Sequence, residues 1–262
     1  MIEENLSLLL VAIPLVAAPI TALLPAGRLP WLSALVVTWL SLVLASWQLW
    51  MVADGSIISY ELGGWAPPWG IEYRIDALNA LVALIVAGIG AITLPYALRS
   101  IEQEVSRRHT PYFYAAFLLC FDGLLGITQT GDIFNLFVFL EISSLSSYAL
   151  ISMGRKRRAL TAAYQYLIMG TIGATFLLIG IGLVYAETGT LNMVDLHNRL
   201  PAIFDHRTVH TAFAFMLVGI SLKLALFPLH LWLPNAYTYA PSAITVFLAA
   251  TATKVAVYVM LR

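Results

Sequence analysis

Apolar residues dominate this chain in runs long enough to cross a bilayer, separated by short polar or Gly/Pro-rich breaks. A hydrocarbon layer of about 30 Å takes roughly twenty residues of helix at about 1.5 Å per residue. Eight runs meet that length, at 6–24, 31–53, 76–98, 111–130, 132–153, 162–186, 209–233 and 242–261. No period-2 alternation of the barrel kind appears. The predicted fold is therefore all-α, a polytopic transmembrane bundle of about eight spans. Only Thr130-Gly131 separates the fourth run from the fifth. A single helix over 111–153 would be far too long, so a tight glycine turn is expected there.

The breaks carry their own predictions. Ser56–Ile75 contains Tyr60-Glu61-Leu62, Gly63-Gly64-Trp65 and Pro67-Pro68-Trp69. Short β-prone runs around Gly and Pro predict a small hairpin on the outer surface, its tryptophans at the interface. The polar stretch 187–208 predicts a short amphipathic helix over about Asn192–Leu200, ending at Pro201. Inside the seventh run stand Pro228 and then Pro234. Proline lacks the backbone donor and clashes with the preceding turn, so the seventh helix is expected to be discontinuous.

Composition supports the membrane reading. Of 262 residues, 60% are hydrophobic and 11% charged, whereas soluble domains run near a quarter charged. Loop charge sets the expected orientation. Arg28, Arg99, Arg107, Arg108, Arg155, Lys156, Arg157 and Arg158 fall on one side; Arg74, Arg199, Arg207 and Arg262 fall on the other. Eight against four places the first group in the cytoplasm and both termini outside a cell (inner) membrane. The start, Met-Ile-Glu-Glu-Asn, is acidic where a signal peptide is basic, so the first span is expected to remain. Zero net charge gives no reason to expect a nucleic-acid partner; the partner implied is the lipid bilayer. A single cysteine, Cys120, excludes a disulfide framework or a cysteine metal site. His197, His206 and His210 have poor spacing for a metal, and Gly180-Ile181-Gly182 lacks a phosphate loop's third glycine. No cofactor and no metal are expected.

Chemistry is expected where charge survives in the apolar runs. A charge at the centre of a spanning helix costs about 2.5–3.5 kcal/mol on insertion scales. Asp122, Glu141, Lys223 and Lys254 lie well inside runs, and Asp132 opens the fifth. Glu141 is followed by Ser143, Ser144, Ser146 and Ser147, hydroxyls that can bond water or neighbouring helices. Burial drives an ammonium toward losing its proton and a nearby carboxylate drives it the other way, so Lys223 is poised to exchange one. His230 lies seven residues on, beside the proline break. Lys254 has Thr251 and Thr253 as hydroxyl neighbours, and Asp122 has no obvious partner in sequence. Glu141, Lys223, Lys254 and His230 are the expected proton-translocating residues, with Asp122 and Asp132 as possible additions.

Several separated motifs carry a resemblance. They are Gly63-Gly64-Trp65 with Arg74-Ile75-Asp76-Ala77-Leu78, and Thr130-Gly131-Asp132-Ile133-Phe134-Asn135 running on to Glu141. With them stand Lys223, Phe227-Pro228-Leu229-His230-Leu231-Trp232-Leu233-Pro234-Asn235-Ala236-Tyr237, Ala240-Pro241-Ser242-Ala243 and Thr253-Lys254-Val255. The chain resembles the antiporter-like membrane subunits of multi-subunit cation/proton antiporters, respiratory complex I and membrane-bound hydrogenases. It is most similar to the D-type antiporter subunits; Tyr237, where other members carry a second histidine, agrees with that type. The resemblance implies proton translocation coupled to sodium or potassium within a complex of several membrane subunits, or alternatively the proton-pumping arm of an NADH-quinone oxidoreductase or hydrogenase. No catalysis is implied in this chain alone. It also implies that Glu141 and Lys223 are the working pair of the fifth and broken seventh helices. Lys254 would pass protons toward the subunit centre, with His230 on that path. Members have about fourteen helices, including two inverted five-helix repeats. By that likeness residues 1–110 form a three-helix segment with an external hairpin and 111–262 one five-helix repeat. The second repeat is absent, which leaves both a longer gene product and a split subunit open.

Overall fold

The computed structural model describes residues 5–262; Glu3 and Glu4, on which the signal-peptide reading rests, lie outside them. The chain opens with α1 (Leu6–Leu23) and α2 (Arg28–Met51). The expected hairpin follows: β1 (Ile58–Glu61) pairs antiparallel with β2 (Glu72–Ile75), Ile58 opposite Ile75 and Glu61 opposite Glu72. Trp65 and Trp69 are exposed on its connection. Then come α3 (Ala77–Glu104), α4 (Thr110–Gln129), α5 (Ile133–Ser152) and α6 (Arg158–Thr188). The rest comprises α7 (Met193–Ile203), α8 (Arg207–Leu224), α9 (Trp232–Tyr239) and α10 (Ser242–Leu261).

The molecule is a polytopic helical membrane protein. Among the described residues seven helices, α1 to α6 and α10, are long and apolar enough to cross a bilayer. The run expected at 209–233 is the interrupted pair α8 and α9. Its break falls at Leu224, four residues before Pro228. That is the carbonyl a proline at 228 cannot serve and would clash with. Ala225 then turns left-handed at φ 58°. One sequence reading needs correction: α7 runs on to Ile203, with Pro201 inside it rather than at its end. The carbonyl that Pro201 leaves unserved belongs to exposed His197, where water can bond it.

Polarity is inverted relative to a soluble bundle. Large apolar side chains such as Val16, Ile20, Val43, Ile92 and Leu160 point outward, while Gln48, Asp122, Gln129 and Ser143 are buried. The most enclosed spanning helix is α4. Its Phe117 and Phe121 rings stack at 6.3 Å, and Phe117 lies 4.9 Å from Phe247 of α10. Gly123 lets α5 approach closely: a Cβ there would lie 2.6 Å from Ser143 N and 2.8 Å from the Phe139 carbonyl. Small residues at such crossings replace the hydrophobic drive that lipid cannot supply between helices.

One end of the bundle is tied by the hairpin. Glu72, buried in β2, accepts from Ser59 Oγ at 2.6 Å and from Asn192 Nδ2 at 2.8 Å. Its own carbonyl accepts from Gly131 N at 2.8 Å, in the α4–α5 turn. Asn192 in turn caps α7 through Val194 N and Asp195 N. Tyr73 bridges Thr130 and Asp132 bridges Asn192. Hairpin, turn and surface helix are thus one joint, and a side chain at Gly131 would press on Arg74 Cβ at 3.1 Å.

Candidate functional site

Glu141 and the serines expected to flank it stand on α5, and Lys223 ends α8. Glu141 and Ser144 are three residues apart and so share a helix face. The Lys223 ammonium meets both, Glu141 Oε1 at 2.9 Å and Ser144 Oγ at 2.8 Å. The lysine side chain is 6% exposed and the glutamate 21%. The pair joins residues 82 apart in sequence.

The helix break makes this position tenable. Lys223 lies in the last turn of α8, where unpaired carbonyls carry the negative end of the helix dipole and favour a cation. The Leu222 carbonyl is taken by Trp232 Nε1 at 3.0 Å, so the indole of α9 caps the half-helix. That indole stacks on Tyr166 of α6 at 3.8 Å with the rings nearly parallel. Close packing of α6 on α8 holds the seat: a Cβ on Gly219 would lie 2.7 Å from the Gly173 carbonyl. Beside Lys223 is a cavity of about 20 Å³, bordered by Ser143, Ser144, Ser147, Cys120 and Tyr166. Leu124, Ile127, Leu140, Ala252, Val255 and Ala256 complete its lining, and it has room for one water beside the serine hydroxyls.

The other expected residues are placed differently. His230 sits in the α8–α9 break, its ring 5.5 Å from Phe227, and its Nδ1 is buried with no hydrogen-bond partner among the described residues. Lys254 is exposed and donates to Ala249 O at 2.6 Å and Thr253 Oγ1 at 3.3 Å. Ala252, Val255 and Ala256 of the same helix line the Lys223 cavity, so Lys254 leaves α10 on another face. The structure brings Glu141 and Lys223 together and joins Lys254 to neither. Asp132 is the N-cap of α5, accepting from Asn135 N at 2.7 Å. Burial raises its carboxyl above the usual range, against the opposing pull of the Asn135 and Phe134 backbone donors. Asp122 is fully buried with both oxygens unpartnered among the described residues.

Sequence reasoning missed the direct contact from Ser144, although its i, i+3 spacing to Glu141 carried that signal. It also missed the Trp232–Tyr166 stack, for which no local pattern exists. Among the described residues no group of three or more His, Cys, Asp or Glu could hold a metal.

Comparison with known proteins places this geometry. Residues 130–262, half of the chain, match the family model for NADH:quinone oxidoreductase/Mrp antiporter transmembrane proteins. The chain is 44% identical over 261 residues to NADH-quinone oxidoreductase subunit N of Desulforudis audaxviator, covering 98% of itself and 52% of that protein. It is 32% identical over 211 residues to the D subunit of the Na(+)/H(+) antiporter of Alkalihalophilus pseudofirmus, covering 80% of itself and 42% of that relative. It also superposes on a chain of the membrane-bound sulfane sulfur reductase, an archaeal respiratory membrane complex, with TM-score 0.91 and 34% identity, over 98% of itself and 53% of that chain. The chain thus spans about half the length of the relatives it matches. It belongs to the NADH:quinone oxidoreductase/Mrp antiporter transmembrane family.

Proposed function

We propose that this chain is a proton-translocating membrane subunit of a multi-subunit monovalent cation/proton antiporter, exchanging protons for sodium or potassium. The observation that carries the reading is the Lys223–Glu141 pair, 2.9 Å apart inside a lipid-facing bundle and beside a small cavity bordered by serine hydroxyls. An uncompensated ammonium is costly there. Lys223 therefore keeps its proton while Glu141 is ionised, and releases it when that charge is neutralised or drawn away. Ser144 holds the amine in either state, since a hydroxyl both donates and accepts. His230, with its buried free nitrogen, and Lys254, on the outward face of α10, extend the route away from the pair. Residues 111–262 act as the five-helix repeat and 1–110 as the segment that carries the hairpin. The complex lies in the cell membrane, with both termini on the outer side and other membrane subunits around it.

A second reading, the proton-pumping arm of a redox complex, is favoured by the 44% identity to a subunit named for NADH-quinone oxidoreductase. Neighbouring genes separate the two: small antiporter subunits accompany the first, iron–sulfur and flavin subunits the second. The mechanism itself is tested in everted vesicles carrying the assembled complex. Glu141→Ala and Lys223→Ala should each abolish sodium-dependent or redox-driven pH changes while the complex still assembles. Unchanged flux in both variants removes the pair from the mechanism.

A further inference from the structure

We propose that Asp122 is a second proton-binding carboxyl of this chain, set on the face of α4 opposite the Glu141–Lys223 pair and exchanging its proton toward the hairpin end past Gln129 and Gln48. The inference extends the transport reading but rests on different residues.

The placement follows from helix geometry and burial. Cys120, Leu124 and Ile127 of α4 border the Lys223 cavity. At about 100° per residue, Asp122 lies roughly 160° round the helix from the centre of that face. Gln129, seven residues on, falls within about 20° of Asp122 and about 10 Å nearer the hairpin. Gln48 Nε2 of α2 donates to Gln129 Oε1 at 2.7 Å and to Ser7 Oγ of α1 at 3.2 Å. All three are fully or almost fully buried. So α4 divides two polar centres, one facing α5 and α8, the other facing α1 and α2.

The chemistry of the second centre points to a proton. Asp122 is 0% exposed and neither carboxylate oxygen has a hydrogen-bond partner among the described residues. An ionised carboxylate in that position would be uncompensated, and such groups neutralise instead. Few ionisable groups reach it from the packed elements. Helix α1 contains none, α2 only Arg28 at its far end, and α3 none before Tyr96. Glu141 of α5 is engaged with Lys223, and α10 brings exposed Lys254 and, near its end, Tyr258. From β2 come Tyr73, 3% exposed, and Glu72 with Arg74, which lie 3.8 Å from each other. Burial first, and the Asp122 carboxyl second, hold the Tyr73 phenol above its usual range. No cation among the described residues forms an ion pair with Asp122. The buried amides of Gln129 and Gln48, with Ser7 beyond, form the polar contacts between this level and the hairpin end, where Tyr60 of β1 bonds Asn5 at 3.0 Å.

The test uses the assembled complex in membranes. Dicyclohexylcarbodiimide, an apolar reagent, reacts with protonated carboxyls. The acid O–H adds across one C=N bond, oxygen to carbon and proton to nitrogen, and the acyl group migrates to give a stable N-acylurea with no leaving group. Peptide mapping should find the adduct on Asp122, more at acidic than at alkaline pH. Infrared difference spectra should contain a protonated-carboxyl C=O band that responds to pH and to D₂O. That band should vanish in Asp122→Asn and persist in Glu141→Gln. An unlabelled Asp122, a band unchanged in Asp122→Asn, or a band indifferent to pH and D₂O overturns the proposal. Should Asp122→Asn fail to assemble, labelling of the unaltered complex decides. Loss of flux in Glu141→Gln with the band retained would support both sites; retained flux with the band present would sink the transport reading alone.

Discussion

Lys223 ends α8 with Glu141 and Ser144 within 2.9 Å, buried, whereas Lys254 stands in unbroken α10, exposed, donating to its own helix's Ala249 carbonyl. Both are lysines in apolar helices, and their surroundings differ in each term that governs a membrane charge. The first has a helix terminus, a counter-carboxylate and a hydroxyl. The second has only the Ala249 carbonyl five residues back and Thr253, reached by curling back toward the helix N-terminus as side chains there do. Depth in an apolar run therefore predicts a charge that needs an account, while the break in the backbone decides whether that account is an internal ion pair. Proline placement, four residues beyond Leu224, is what separates the two cases.

The comparison breaks most sharply in stability. Removing one partner of a buried pair costs about 3–5 kcal/mol because the other charge is left alone. Lys223→Met and Glu141→Gln should each lower the unfolding transition of the solubilised complex by that amount. The double variant should recover much of it, since no lone charge remains. Lys254→Met should stay within about 0.5 kcal/mol, as surface changes do. Equal losses at the two lysines, read by thermal unfolding, would erase the distinction between them.

A smaller effect tests the cap. Trp232→Phe keeps the ring on Tyr166 and removes the N–H that serves the Leu222 carbonyl. The carbonyl still accepts from Ala225 N at 3.2 Å, so the loss is one hydrogen bond, about 0.5–1.5 kcal/mol. Loss in that range, with flux lowered less than in Lys223→Ala, would place Trp232 as a positioning residue for the α8 terminus. No loss would mean that the break holds itself.

Much of this was legible in sequence. Seven of the eight expected runs become helices long and apolar enough to cross a bilayer, the 209–233 run being the broken pair, and α10 falls at 242–261 as expected. The break follows from Pro228, and the hairpin from Gly and Pro around β-prone runs. Glu141 and Lys223 stood out as charges where lipid-like residues surround them. Partnership did not stand out, because contacts between residues 82 apart depend on how α5, α6 and α8 pack, which no local period encodes. The same limit hid Glu72. It lies in a short loop strand with no apolar run to mark it, yet its carboxylate ties the hairpin to α7. Lys254 shows the converse: depth in sequence did not place it beside the pair.

The least effect, and the sharpest contrast with the membrane pair, belongs to a charge pair on the surface. Asp195 of α7 accepts from Arg199 Nε at 2.9 Å, with Arg199 Nη2 also 2.9 Å from its second oxygen. That hydrogen bond, against a slight opposing effect of burial, holds the Asp195 carboxyl below its usual range. A carboxyl lowered in the folded state stabilises above its unfolded value of 3.8 and ceases to as pH falls through the lowered one. The protection of the α7 amides, as exchange relative to the unstructured rate at each pH, should therefore be flat from neutral to mildly acidic pH and fall only below about pH 4. Added salt should weaken α7 protection at neutral pH, because exposed charges are screened. The Glu141–Lys223 contact, buried between α5 and α8, should not respond to the same salt. Salt-dependent exchange in α5 near Glu141 would mean that the pair is open to water, and the contrast between interior and surface charge would fail.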